Sequence, residues 1–422
     1  MPSSMVSTDP TTTTPVFFGE PGEVAPHVFM HPAFVNTYGL RTPDGVVVID
    51  PGFTHTSGTV RDAIHGWCDM PVRAGVYTHG HADHAFGMRA FLDAGERPEI
   101  VAQENCVARF KRYEAMNGLN GRINMRQFGL PQPMFPHHFD WPTFLVRDVA
   151  VQRFGDVEVE YHAARGETDD HLYVWVPKHR YLFTGDLVIW QAPNCGNPQK
   201  VQRYPEDWAN VLEAMAGLDA EWLFPGHGPA LHGREAVRLL LTETARYLRV
   251  IVEQVRERMN AGETADEIFH AVEPDPELAK RTFLQPTYDH PKFIVRNLLR
   301  LWGGWWNGNA ADLLPSTPAA QAAEIAVMAG GVDKVVARGR ALLDGGDAVM
   351  ASHLAEWATR AAPDDRTAQA LKRDVYRKRH ADAVALMARG IFRAAMNDAE
   401  RALGEEPTFA SDRGMSLTGG RH

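Results

Sequence analysis

From residue 28 to about 233, short apolar runs alternate with turn signals. Val46-Val47-Val48-Ile49 stops at Asp50-Pro51-Gly52 and reads as a buried strand closed by a turn. Arg73 to Tyr77 is a further short strand, and Val157 to Tyr161 alternates as a half-buried strand does. Leu172 to Pro177 and Tyr181 to Asp186 predict a hairpin around Lys178-His179-Arg180. Helical spacing falls between them, at Ala85 to Ala94 and Pro205 to Gly217. Strands interleaved with helices imply layered α/β packing.

After Glu235 the pattern changes. Leu239, Leu240, Leu248, Ile251, Val252 and Val255 recur at helical spacing through Asn260. From Pro318 to about Leu403 the chain is Ala-rich and helical throughout, with breaks at Gly330-Gly331, Gly345-Gly346 and Pro363-Asp364-Asp365. Helices of this kind hide their apolar faces on one another or on a partner chain. Residues 1–15 carry Ser, Thr and Pro with no apolar core and read as a disordered leader; residues 405–422 read as a flexible tail. Between these lie an α/β domain over 16–234, a helical extension with a connecting arm over 235–315, and a helical domain over 316–404.

The 422 residues carry 43 Lys and Arg against 53 Asp and Glu, and no basic block stands out, which removes electrostatic support for nucleic-acid binding. No apolar run is long enough to span a membrane. Three scattered cysteines, Cys68, Cys106 and Cys195, make neither a disulfide framework nor a Cys-x-x-Cys metal pair. A cytoplasmic protein is expected, with no membrane and no nucleic-acid partner.

The chemistry concentrates in Thr78-His79-Gly80-His81-Ala82-Asp83-His84, directly after a strand. Neutral imidazole is the commonest transition-metal ligand, and a carboxylate adds negative charge. Four ligands on one short loop fit two ions more easily than one. Two such ions share a water, lower its pKa and make that hydroxide a nucleophile, which Asp83 helps to orient. Asp50, on the turn after its strand, is placed to hydrogen-bond a ligand histidine.

His79-x-His81-x-Asp83-His84 after a strand resembles the metallo-β-lactamase superfamily. The later markers of that superfamily match Gly166-Glu167-Thr168, Gly185-Asp186 and Pro225-Gly226-His227-Gly228, with glutamate where the first usually has histidine. The resemblance implies an αββα sandwich and one metal on His79, His81 and Glu167. A second metal would sit on Asp83, His84 and His227, with Asp186 bridging. Carboxylate for imidazole makes the first site harder and more negative. The implied cofactors are two divalent ions, zinc first, with manganese or iron as the alternatives. His171 stands where the superfamily often has a further histidine and reads as packing.

Tyr288-x7-Arg296-x5-Trp302-Gly303-Gly304-Trp305-Trp306-Asn307-Gly308-Asn309, followed by Gly330-Gly331-Val332-Asp333-Lys334-Val335 and its helices, resembles the alkyl sulfatase family. That likeness implies an all-α dimerisation domain, a homodimer, and a small ester as substrate, an alkyl sulfate first. The chain departs from the family in using Gly185-Asp186 for an Ala-Glu-Asn motif, and it reads as a short relative, ending before the family's sterol-carrier-like C-terminal domain. A sulfate ester needs donors for its oxygens, and Asn194, Asn197, Lys200 and Arg203 are the candidates. A thioesterase or lactonase on the same fold is the alternative. The aromatic stretch Met125 to Trp141 reads as an alkyl-binding wall or a loop covering the core.

Overall fold

The computed structural model describes residues 5–409. Among them the chain divides into two compact units. The first holds the residues up to Asn117 together with Phe135–Gly304; the second holds Gly118–Met134 and the chain from Trp305 onward.

The first unit contains two seven-stranded sheets. One runs Gly22–Ala25, Val28–Pro32, Asn36–Thr42, Gly45–Ile49, Val72–Val76, Glu99–Gln103, Phe144–Val146 in spatial order. The other runs Val6–Ser7, Ala230–His232, Trp222–Pro225, Tyr181–Gly185, His171–Val176, Val157–Ala164, Val149–Phe154. Their inner faces meet in one core that draws Val47, Ile49, Val76 and Val101 from the first sheet and Val159, Tyr161, Val174 and Phe183 from the second. The outer face of each sheet carries helices. Val60, Ile64, Phe91 and Phe110 cover one, from Ser57–Trp67, Arg89–Asp93 and Asn105–Ala115. Trp208, Leu212, Leu241, Leu248 and Ile294 cover the other, from Pro205–Ala216, Arg234–Asn260 and Pro291–Trp302. Helix, sheet, sheet, helix is the αββα sandwich expected.

The strand that alternates at 157–161 runs on to Ala164, and the 172–176 and 181–183 runs pair antiparallel, Val174 opposite Phe183. One expected helix is broken: Ala82–Ala85 and Arg89–Asp93 are separate turns, parted where Gly87 backs onto the Pro51 carbonyl. The expected disordered leader is corrected over its described part. Met5 is wholly buried, Val6–Ser7 pairs parallel to Ala230 and Leu231, and the Pro10 carbonyl accepts from Thr282 Oγ1. A two-residue strand offers too little periodicity to be read, and its partner lies more than 200 residues away. Of the expected tail, residues 410–422 lie outside the described residues.

In the second unit, the Gly and Pro-Asp breaks separate Pro318–Ala329, Val332–Asp344, Ala348–Ala361 and Arg366–Asp382, and Leu386–Leu403 follows a further break at 383–385 that carries no Gly or Pro signal. Side chains of Thr317, Asp347 and Asp365 accept from the first-turn amides of their helices, and Gly330 ends the first of them at φ 85°. Ala351, Ala355, Leu371 and Val375 fill the small core between them. No helix among the described residues is long and apolar enough to cross a membrane.

Candidate metal centre

The ligand loop leaves the strand Val72–Val76, and Asp50 leaves the neighbouring strand Gly45–Ile49. Parallel pairing of these two strands brings both ends to the same edge of the sandwich. From the other sheet come Glu167, just before His171–Val176, Asp186, just after Tyr181–Gly185, and His227, after Trp222–Pro225. The centre therefore sits where both sheets end, and long-range strand pairing assembles it.

Two clusters form there, His79, His81, Glu167 and Asp186 in one and Asp83, His84 and His227 in the other; within each, the ligand atoms lie within 4.8 Å of one another. Asp186 faces both. Its Oδ1 stands 3.2 Å from His84 Nε2 and 3.2 Å from His227 Nε2, and its Oδ2 3.9 Å from His79 Nε2. Glu167 Oε2 lies 3.4 Å from His79 Nε2 and 3.5 Å from His81 Nδ1. Asp83 Oδ2 lies 3.5 Å from His84 Nε2 and 3.7 Å from His227 Nε2. Gly226 allows this approach: a Cβ there would stand 2.2 Å from Asp186 Oδ1.

The residues fit divalent cations. His84 Nε2, Glu167 Oε2 and Asp186 Oδ1 are buried, face the centre and have no hydrogen-bond partner among the described residues. Buried polar atoms without partners are costly, and cations satisfy all three at once. The remaining atoms of the same side chains are held from behind. Asp50 Oδ2 is 2.8 Å from His84 Nδ1, and the amide and hydroxyl of Thr78 donate to Asp50 at 2.8 Å each. His227 Nδ1 donates to the Phe34 carbonyl. Both imidazoles thus turn Nε2 inward, as a ligand must.

The charges of this buried group are strongly coupled. Burial pushes His79 down, and His84, His81 and His171 add to that, so it rests neutral. Burial also opposes protonation of His84, yet Asp186, Asp50 and Asp83 outweigh it and hold His84 well above its ordinary value. His227 is raised in the same way by Asp186. Burial raises Glu167, but Arg203 and His81 outweigh it and hold the carboxylate below its usual range.

The four candidates for holding sulfate separate. Asn194 Nδ2 donates to Glu167 Oε1 at 2.6 Å, and an Arg203 guanidinium nitrogen donates to the same oxygen, so both are engaged on the Glu167 carboxylate. Asn197 is buried and its Oδ1 accepts from the Gln199 amide at 3.0 Å. Lys200 is half-buried, with no carboxylate within ion-pair distance among the described residues. Burial and then Arg203 push its amine down to about 8, against the pull of Asp83 and Glu167. Cys195 is a free, buried thiol.

Residues absent from the sequence reading also shape the centre. The Gly80 amide donates to Asp170 Oδ2 at 2.9 Å, and Asp170 Oδ1 takes Arg109 Nε at 2.7 Å. Asp170 could have been suspected from its place beside Glu167; Arg109, on the helix Asn105–Ala115, gives no sequence signal. His171 stacks on His79 with ring centroids 4.8 Å apart, which is packing. Phe135 and Phe139 of the aromatic stretch pack on Phe86, so this part covers the core. Trp302 packs on the large helical core and under Arg256, whereas Trp305 and Trp306 stay exposed.

A sandwich with this ligand edge defines a class. Residues 31–227 match the metallo-β-lactamase superfamily, and residues 264–401 match the alkyl sulfatase dimerisation family. The chain thus combines a metallo-β-lactamase superfamily domain with an alkyl sulfatase dimerisation domain. It is 28% identical to a linear primary-alkylsulfatase of Pseudomonas sp. over 80% of its own length and 69% of the relative's. An (R)-specific secondary-alkylsulfatase of Pseudomonas sp. is 24% identical over 79% of the chain and 55% of that relative. The solved structure of a stereoselective inverting sec-alkylsulfatase from Pseudomonas sp. superposes with a TM-score of 0.81 at 22% identity, covering 93% of this chain and 67% of the other, which establishes a shared fold.

Proposed function

We propose that the protein is a dinuclear metal-dependent hydrolase of alkyl sulfate esters or closely related small esters. The observation that carries this reading is the two-sided Asp186 carboxylate, with one oxygen toward each ligand cluster. The family of the helical domain and the names of the relatives above favour the sulfate over other esters.

His79, His81 and Glu167 would hold one ion and Asp83, His84 and His227 the other, with Asp186 between them. Two divalent ions there supply a water of lowered pKa and positive charge opposite the substrate. Zinc is favoured by four imidazoles; the three carboxylates keep manganese and iron as alternatives. The rest falls to the chain's own side chains. Asp50 fixes the tautomer and the facing of His84. Asp83, partly exposed, orients water. Lys200, a half-buried cation with no ion-pair partner among the described residues, is the side chain best suited to the sulfate oxygens. Asn194 and Arg203 contribute through Glu167, and Asn197 through the loop that carries Lys200.

Exposed apolar side chains on the helical domain, among them Val327 at 73% and Met328 at 79%, support a homodimer through residues 316–404. Three free, buried cysteines accord with a cytoplasmic location.

The test is incubation of metal-loaded protein with primary and secondary alkyl sulfates, sulfate being measured by ion chromatography beside a chelated control. Chelator-sensitive sulfate release is expected. No release from any of them would discard the sulfate reading and move the assignment to thioesters or lactones.

A further inference from the structure

Where the superfamily motif has a neutral imidazole, this chain has Glu167. Taken alone, the exchange leaves the first ligand cluster one charge more negative. The structure shows a compensating cation. Glu167 and Arg203 are each 2% exposed. A guanidinium nitrogen of Arg203 donates to Glu167 Oε1 and to the Asn194 carbonyl, and Asn194 Nδ2 donates to that same Oε1 at 2.6 Å. Glu167 Oε2 receives none of these bonds and faces His79 and His81. The backbone of Arg203 is anchored in turn by Asn297 on the helix Pro291–Trp302: Asn297 Nδ2 donates to the Arg203 carbonyl at 2.8 Å.

We propose that Arg203 is the counter-charge that lets Glu167 stand in for imidazole, so that the buried pair offers the first metal one oxygen donor at no net charge. A buried carboxylate and guanidinium in contact cancel formally, and either one left alone is a costly buried charge. The pair therefore keeps the net charge of a histidine ligand while changing the donor atom. Arg203 is a positioning residue on this view: it acts on the metal through Glu167, and it sets which metal the first site prefers. The inference rests on the ligand assignment in the proposed function.

The experiment is a charge-swap cycle read by metal binding. Zinc affinity is measured by chelator competition, and the cobalt-substituted protein by its visible absorption, for the native protein, Glu167→His, Arg203→Met and the double variant. Glu167→His strands Arg203 as an unpaired cation beside the cluster and lowers affinity for one ion by roughly tenfold or more. Adding Arg203→Met should recover most of that loss, although it is a second substitution in the same pocket. A double variant binding no more tightly than Glu167→His overturns the proposal. Should Glu167→His fail to fold, the comparison moves to native Glu167: Arg203→Lys keeps the zinc-over-manganese ratio, while Arg203→Met shifts it toward manganese by about tenfold. An unchanged ratio in Arg203→Met also overturns it. Glu167→Ala separates the two levels, because two ions bound at native affinity there would mean that the ligand assignment itself had failed.

Discussion

Asp50 holds a non-Gly residue's uncommon left-handed conformation, φ 51°, and from it reaches Thr78 and His84 together. Asp50→Ala should lower metal affinity by about 10–100-fold, with titration calorimetry as the measurement, while the fold persists in circular dichroism. Lys200 makes a second residue-scale prediction. Its amine, pushed down to about 8, is charged below that pH and neutral above it. The KM for a sulfate ester should therefore climb as pH rises through about 8. Lys200→Met should raise KM at pH 7 and flatten that climb; an unaltered profile would remove Lys200 from the substrate site. At this scale the candidate ligands His79, His81, Asp83 and His84 were readable because they are adjacent in sequence, whereas Glu167, Asp186 and His227 came from the resemblance. The partners of Glu167 were not readable, since Arg203 has no fixed spacing to it, and its donors read equally well as a sulfate grip.

Among elements, the helices between Pro318 and Asp382 were legible from their breaks, whereas Gly390 was silent in sequence. It lies inside the helix Leu386–Leu403, where glycine is unfavourable by about 1 kcal/mol. Its place in the fold explains it: a Cβ there would come 2.6 Å from the Arg126 carbonyl and 2.7 Å from that of Gln127. Gly390→Ala should therefore destabilise by about 1–3 kcal/mol in urea unfolding, against the direction of helix propensity. A stabilised variant would show that the close approach does not matter. The broken turns around Gly87 are the same lesson in the other unit, because apolar spacing reports an amphipathic face but not the carbonyl that interrupts it.

For the whole molecule, assembly and metal occupancy are the measurable quantities. Light scattering should return about twice the 46.9 kDa chain mass, and Val327→Asp with Met328→Asp should move it to one chain mass. A native protein at one chain mass would end the dimer reading. Metal binding should depend on pH with a definite sign. His84 and His227 hold protons above the ordinary histidine value in the ion-free protein, and a ligand nitrogen must shed its proton. Affinity should fall from pH 8 to pH 6, and binding at constant pH should release protons measurable from the buffer dependence of the calorimetric heat.

Sequence alone determined the quantities that are local. These are the alternating and helical runs, the turn residues that end them, and a loop whose four candidate metal ligands fall within six consecutive positions. Those follow from backbone geometry and from contacts a few residues long. Tertiary structure decided what depends on two distant segments meeting. It laid Val6–Ser7 along Ala230–His232, set the two oxygens of Asp186 toward different clusters, and placed Arg203 against Glu167. The physical reason is that a side chain's charge is local to its residue, while the burial that makes the charge matter comes from both sheets closing over it.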